Sequence, residues 1–124
     1  MRRTRRTIAT LALVLGLVAG LTAQTAIPTS SLAWDQPAPT LAAAQTYTYK
    51  YYPDTEPSAA TFATVACSGT TSPFVCVATF PAFAPGAHTI QITATNIAGE
   101  SARSATFAFT FVVVPGAPMN IRIQ

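Results

Sequence analysis

Beyond position 30 the chain alternates apolar and polar residues in short runs. The clearest is HTIQITATN (88–96), where Ile90, Ile92 and Ala94 share one face and Thr89, Gln91, Thr93 and Thr95 the other. That period of two is the mark of a half-buried β-strand. ATFAFTFVVV (105–114) places Phe107, Phe109, Phe111 and Val113 on one face. TYTYKYY (46–52) sets Tyr47, Tyr49 and Tyr51 against Thr46, Thr48, Lys50 and Tyr52. Further strands are expected at SLAW (31–34), near 62–67 and at 74–80. Asp35-Gln36-Pro37, Pro53-Asp54, Ala84-Pro85-Gly86 and Ala98-Gly99 punctuate them as turns. TLAAAQ (40–45) has room for one turn of helix, and no segment after the first 23 residues sustains a helical period. Six strands joined by short Pro- and Gly-marked loops predict an all-β fold, an antiparallel two-sheet sandwich with Greek-key connections. About 100 residues suit one such domain.

The first residues follow a different pattern. Arg2, Arg3, Arg5 and Arg6 precede an uncharged apolar run over 8–21, and Ala23 and Ala26 follow it. A basic head, an apolar middle and a small-residue exit predict a secretory signal peptide. Cleavage after Ala23 fits best, with Leu21 at the third position before the cut; cleavage after Ala26 puts Gln24 there. The competing reading is a retained anchor, but the run falls short of the ~20 residues a spanning helix needs. No cysteine lies near the exit to carry a lipid. The expected organisation is a signal peptide at 1–23, a sandwich at 24–114, and a Pro/Gly linker with a strand-like tail at 115–124. The destination is secreted, extracellular or at the cell surface.

Removal of the signal changes the charge. The full chain carries +3. Without residues 1–23 the basic residues are Lys50, Arg103 and Arg122 and the acids Asp35, Asp54, Glu56 and Glu100, so three minus four leaves −1. This balance gives no electrostatic basis for binding nucleic acid or, beyond the signal peptide, an anionic membrane. Cys67 and Cys76 flank SGTTSPFV. An exported chain meets oxidising conditions, and the turn sequence between the cysteines predicts a disulfide. Closing so short a loop stabilises the fold by roughly 2–3 kcal/mol on the chain-entropy model. A redox or metal role is the alternative, against which stand the absence of CxxC spacing and the distance to the single histidine.

Little in the chain suggests catalysis, and no enzyme, cofactor or metal is expected. His88 stands alone at a strand start, without a partner evident in sequence for general-base work. The acids are scattered, and the GxSxG, HExxH, P-loop and glycine-rich nucleotide patterns are absent. Binding is the better prospect. Tyr52 and Lys50 lie opposite the Tyr47, Tyr49, Tyr51 face, so they are candidates for an exposed surface that holds a sugar ring or a protein. Asn96 and Glu100, in the loop NIAGES (96–101), are candidates at one end of the sandwich.

Three stretches resemble a fibronectin type III domain or its bacterial immunoglobulin-like relatives. SLAWDQP (31–37) is similar to the B strand with its core tryptophan. YTYKYYPD (47–54) is similar to the C strand, and FAPGAHTIQITATNIAGESARS (83–104) to the E–F turn, the F strand and the F–G loop. The resemblance implies a non-enzymatic interaction or adhesion module, with an accessory carbohydrate-binding domain and a remnant of a tandem-repeat surface protein as alternatives. Two departures stand out. His88 occupies the place of the family's corner tyrosine, and no first strand is recognisable in QTAIPTS (24–30).

A strand-like stretch stands instead at the other end: PGAPMNIRI (115–123) resembles the linker and opening strand of such a domain, with Met119, Ile121 and Ile123 on one face. Return to its own first-strand position requires roughly 20–25 Å for about seven strand residues. Residues 115–118 span at most about 14 Å. The remaining options are a hairpin beside the last strand, a frayed tail or truncated stump, and donation to the strand-B edge of the next molecule, a head-to-tail self-association. The partners implied are thus a protein, another copy, or a polysaccharide.

Overall fold

The computed structural model describes residues 24–124, so the signal peptide expected at 1–23 lies outside the described residues. In chain order the elements are β1 (Gln24–Ala26), β2 (Ser31–Gln36), α1 (Leu41–Thr46), β3 (Thr48–Pro53), β4 (Ala60–Thr61), β5 (Ala66–Ser68), β6 (Phe74–Thr79), β7 (Gly86–Asn96), β8 (Gly99–Glu100) and β9 (Phe107–Phe111). One sheet runs β1-β9-β7-β3-β4, with β8 hairpinned onto β7; the other runs β2-β6-β5. Every pairing is antiparallel except β1 with β9. The result is predominantly β and sandwich-like.

The inward faces are those the alternation marks. Ile90 and Phe109 are almost fully buried, and Tyr49, Cys76, Phe80 and Phe111 join them in one core. Toward one end Trp34 stacks on Phe62 and meets Tyr49 edge-on, both at 5.3 Å between ring centroids. Toward the other, Phe80 and Phe83 pack edge-on against Phe109 at 4.8 and 4.9 Å. Such aromatic geometry contributes about 0.5–1.5 kcal/mol per pair beyond the area it buries.

Four expectations need correction. A strand does precede Ser31: Gln24–Ala26 pairs parallel with β9, not with β2. The turn after it explains the switch of sheet. Pro28 follows Ile27 with its fixed φ, Ser30 N donates to Ile27 O at 2.9 Å, and Ile27 N donates to Ser30 Oγ at 3.0 Å. Second, the strand expected near 62–67 is two, β4 in one sheet and β5 in the other. Both Phe62 and Cys67 are buried, so the crossing between sheets leaves no mark on the apolar pattern. Third, TLAAAQ holds a longer helix than one turn, because Thr40 in extended conformation accepts from Ala43 N and caps it. Fourth, β9 stops at Phe111, three residues earlier than expected. The connection to Met119 is then residues 112–118, able to span about 23–25 Å. Length alone therefore does not prevent the tail from returning to its own molecule.

The predicted disulfide is present, joining Cys67 to Cys76 across directly opposed residues of β5 and β6. Gly99 carries the β7–β8 turn at φ +134°, a conformation that side chains resist.

Candidate functional site

The outer face of the larger sheet gathers three of the four surface candidates. Tyr52 Oη donates to Glu100 Oε1 at 2.7 Å, and Thr93 Oγ1 donates to the same oxygen at 2.6 Å. The hydrogen bonds from Thr93 and Tyr52, with Lys50 and Arg103 nearby, hold the Glu100 carboxyl below the usual carboxylate range. Its bond to Glu100 pushes the Tyr52 hydroxyl above its ordinary value. Lys50 is thus beside Tyr52 and Glu100, as strand alternation requires. Tyr52 is nevertheless only 9% exposed. The Arg103 guanidinium lies 3.6 Å from its ring centroid, so neither the ring nor the hydroxyl is free for a ligand. Arg103 comes from the stretch between β8 and β9, and nothing in the strand pattern marks it as the cover. Asn96 lies at the end of β7, where its Oδ1 accepts from Ala98 N at 2.8 Å. With Gln36, Tyr47, Glu100 and Ser101 it borders an open pocket of about 340 Å³.

His88 is fully engaged. Nδ1 meets Asp54 Oδ2 at 2.8 Å and Nε2 meets the Ala84 carbonyl at 2.7 Å. Both partners offer oxygen acceptors, so the protonated ring satisfies both contacts at once and forms an ion pair with Asp54. The bond to Asp54, followed by that to Ala84, raises the His88 pKa above its ordinary value. Asp54 Oδ1 also accepts from Thr89 N at 2.9 Å; this bond, followed by that from His88, lowers the Asp54 carboxyl. The ring packs at a tilt against Phe83, 4.9 Å between centroids. His88 thus ties the turn before β7 to the turn after β3, a task that a corner tyrosine performs with one hydrogen bond. Both ring nitrogens are occupied by protein partners.

The flank at β2 leaves one side of a six-residue strand unpaired among the described residues. Phe80 N donates to Ser30 O at 2.9 Å. In an antiparallel ladder the bonded pairs alternate, so the backbone of Leu32, Trp34 and Gln36 faces β6. The N–H and C=O groups of Ser31, Ala33 and Asp35 face the other way, and no strand pairs with them among the described residues. β1, the natural candidate, is committed to β9. Between this edge and the inner face of the opposite sheet runs a cleft of about 550 Å³. Leu32, Trp34, Ile92, Phe107 and Phe109 give it apolar walls. Trp34 keeps a buried indole N–H with no partner among the described residues.

The tail, residues 112–124, forms no strand. Met119, Ile121 and Ile123 are exposed at 83%, 91% and 101%. The hairpin option is thus not what the structure shows. These features define a class: a small two-sheet β-protein with a six-residue edge strand uncovered and an apolar segment unpacked. No protein-family model matches the chain, and no curated protein sequence matches it.

Proposed function

We propose that this is an exported, non-enzymatic interaction module, fibronectin type III-like or immunoglobulin-like in its sandwich, that binds an extended segment along β2. The uncovered edge above an apolar cleft carries the reading. An open edge offers main-chain hydrogen bonds to any extended chain, and a cleft beside it receives every second side chain. A long open edge without such use is an aggregation liability. Export is supported by the disulfide and by the signal-like residues 1–23. Cleavage after Ala23 leaves β1 intact, whereas cleavage after Ala26 removes a strand whose last carbonyl accepts from Val112 N at 2.9 Å.

Short synthetic peptides with alternating apolar and polar residues test the reading. Amide exchange at Ser31, Ala33 and Asp35 slows on binding. If no such peptide slows it, or if the slowed amides lie in the 96–101 loop, edge binding is wrong. The pocket of Asn96, Gln36 and Tyr47 favours the second reading, an accessory carbohydrate-binding domain. Retention on an insoluble polysaccharide that falls on Tyr47→Ala is its signature.

A further inference from the structure

We infer that the segment seated on β2 is the tail of a second copy, residues 119–123, so that molecules join head to tail. This rests on the edge-binding reading above and names its occupant. The tail and the edge match in side-chain period, in the hydrogen-bonded pairs which that period fixes, and in charge.

The first is side-chain period. Met119, Ile121 and Ile123 alternate with Asn120 and Arg122. The edge needs the same alternation, since Leu32 is buried and Trp34 half-buried while Ser31, Ala33 and Asp35 between and beside them are exposed; Ser31 and Ala33 border the cleft at the rim. Antiparallel addition is the more stable pairing per residue. Placing Ile121 opposite Trp34 in that sense puts Ile123 opposite Leu32 and Met119 opposite Gln36. Their side chains then enter the cleft against Phe107 and Ile92.

The second is hydrogen bonding. In this register Asn120 and Arg122 lie opposite Asp35 and Ala33, the residues whose N–H and C=O groups face outward. The third is charge. Asp35 is the only charged residue in β2, β5 and β6, and Arg122 is the only one in 112–124. With Arg122 opposite Ala33, its guanidinium is the diagonal neighbour of Asp35 on the outer face, within reach of a long side chain. Among the described residues Arg122 donates to the Asn120 carbonyl, at 3.3 Å, and to no carboxylate.

The donor patch and the acceptor patch are different surfaces. Each copy carries one of each, so the contact is heterologous and propagates in series unless its rotation closes a ring.

The test uses residues 24–124 with the disulfide intact. In sedimentation velocity the average mass rises with concentration and passes the dimer without a plateau. Ile121→Asp leaves folding unchanged, since Ile121 is exposed. It weakens association by at least about tenfold, because a carboxylate enters an apolar cleft. A synthetic peptide of residues 115–124 binds the Ile121→Asp protein and changes the fluorescence of Trp34, the single tryptophan. Ala33→Pro, which removes only an outward-facing N–H, weakens both.

A wild-type monomer at every concentration overturns the inference. So does growth in mass that Ile121→Asp does not reduce. A monomer whose Trp34 fluorescence differs from that of Ile121→Asp also overturns it, by showing the tail in its own cleft. The two levels of the account separate in one experiment. If unrelated alternating peptides bind the variant and the 115–124 peptide does not, the edge reading survives and the self-donation fails. If neither binds, both fail.

Discussion

The two flanks of this molecule solve the same problem in opposite ways. At the β5 flank the edge strand is three residues long, stapled to β6 by Cys67–Cys76 and packed against α1. Gln45 Nε2 reaches from α1 to the Cys67 carbonyl at 3.2 Å. Tyr49 Oη donates to the Ala44 carbonyl at 2.7 Å and touches both sulfurs, and burial, with Tyr47 nearby, pushes its pKa up to about 12. Shortness, a covalent tie and a covering helix are all means of blunting an edge. At the β2 flank none of these is present among the described residues. The edge strand is six residues long, and among the described residues the strand that precedes it pairs in the opposite sheet. A chain that covers one edge so thoroughly has the means to cover the other. The difference is what the proposed edge binding would explain.

That contrast can be strained experimentally from both sides. The largest effect is expected where both flanks share a core. Phe109→Ala, at a residue 1% exposed, costs about 3–5 kcal/mol in urea denaturation. Phe107→Ala, on the wall of the cleft, costs clearly less; equal costs mean the cleft is already filled. Removing the disulfide with Cys67→Ser and Cys76→Ser together lowers stability by about 2–3 kcal/mol. Its effect on sedimentation is nil if the closed flank takes no part in association. Thr40→Ala, which removes the cap of α1, costs about 1 kcal/mol by the same denaturation measurement.

The His88–Asp54 tie is common to neither flank, so its pH dependence is a control. His88 has a raised folded pKa, so its contribution is complete below the ordinary value of 6.5 and is lost as pH rises through the folded one. Asp54 has a lowered folded pKa, so its contribution is present above 3.8 and is lost as pH falls through the folded one. The tie is therefore strongest between pH 3.8 and 6.5. Thermal melts are expected to lose some stability toward pH 9, and His88→Gln to flatten that slope. Sedimentation at the two pH values should agree. Smallest of all is the stability change for Ile121→Asp, within about 0.5 kcal/mol.

Much of the fold could be read from the alternation. The faces of Tyr49, Ile90 and Phe109 follow from a period of two, and the disulfide from its turn sequence. What was hidden depended on contacts distant in sequence. Gln24-Thr25-Ala26 has little strand character of its own, and its pairing comes from the β9 backbone. Alternation placed Tyr52 on the outer face but could not show Arg103 lying over it. His88 was legible as a departure from the corner tyrosine, though not as a group holding two turns. The absence of a recognisable first strand in residues 24–30 points to an open edge beside β2. The structure supplies that strand in the other sheet and leaves the edge uncovered.

Amide hydrogen exchange of Ser31, Ala33 and Asp35, followed by NMR against protein concentration, bears most directly on the open edge and its occupant. All three should exchange freely in dilute solution, and Ala33 and Asp35, the partners of Arg122 and Asn120, should gain protection together as concentration rises, in wild type and not in Ile121→Asp. Protection that is already full at the lowest concentration, or absent at the highest, contradicts the account.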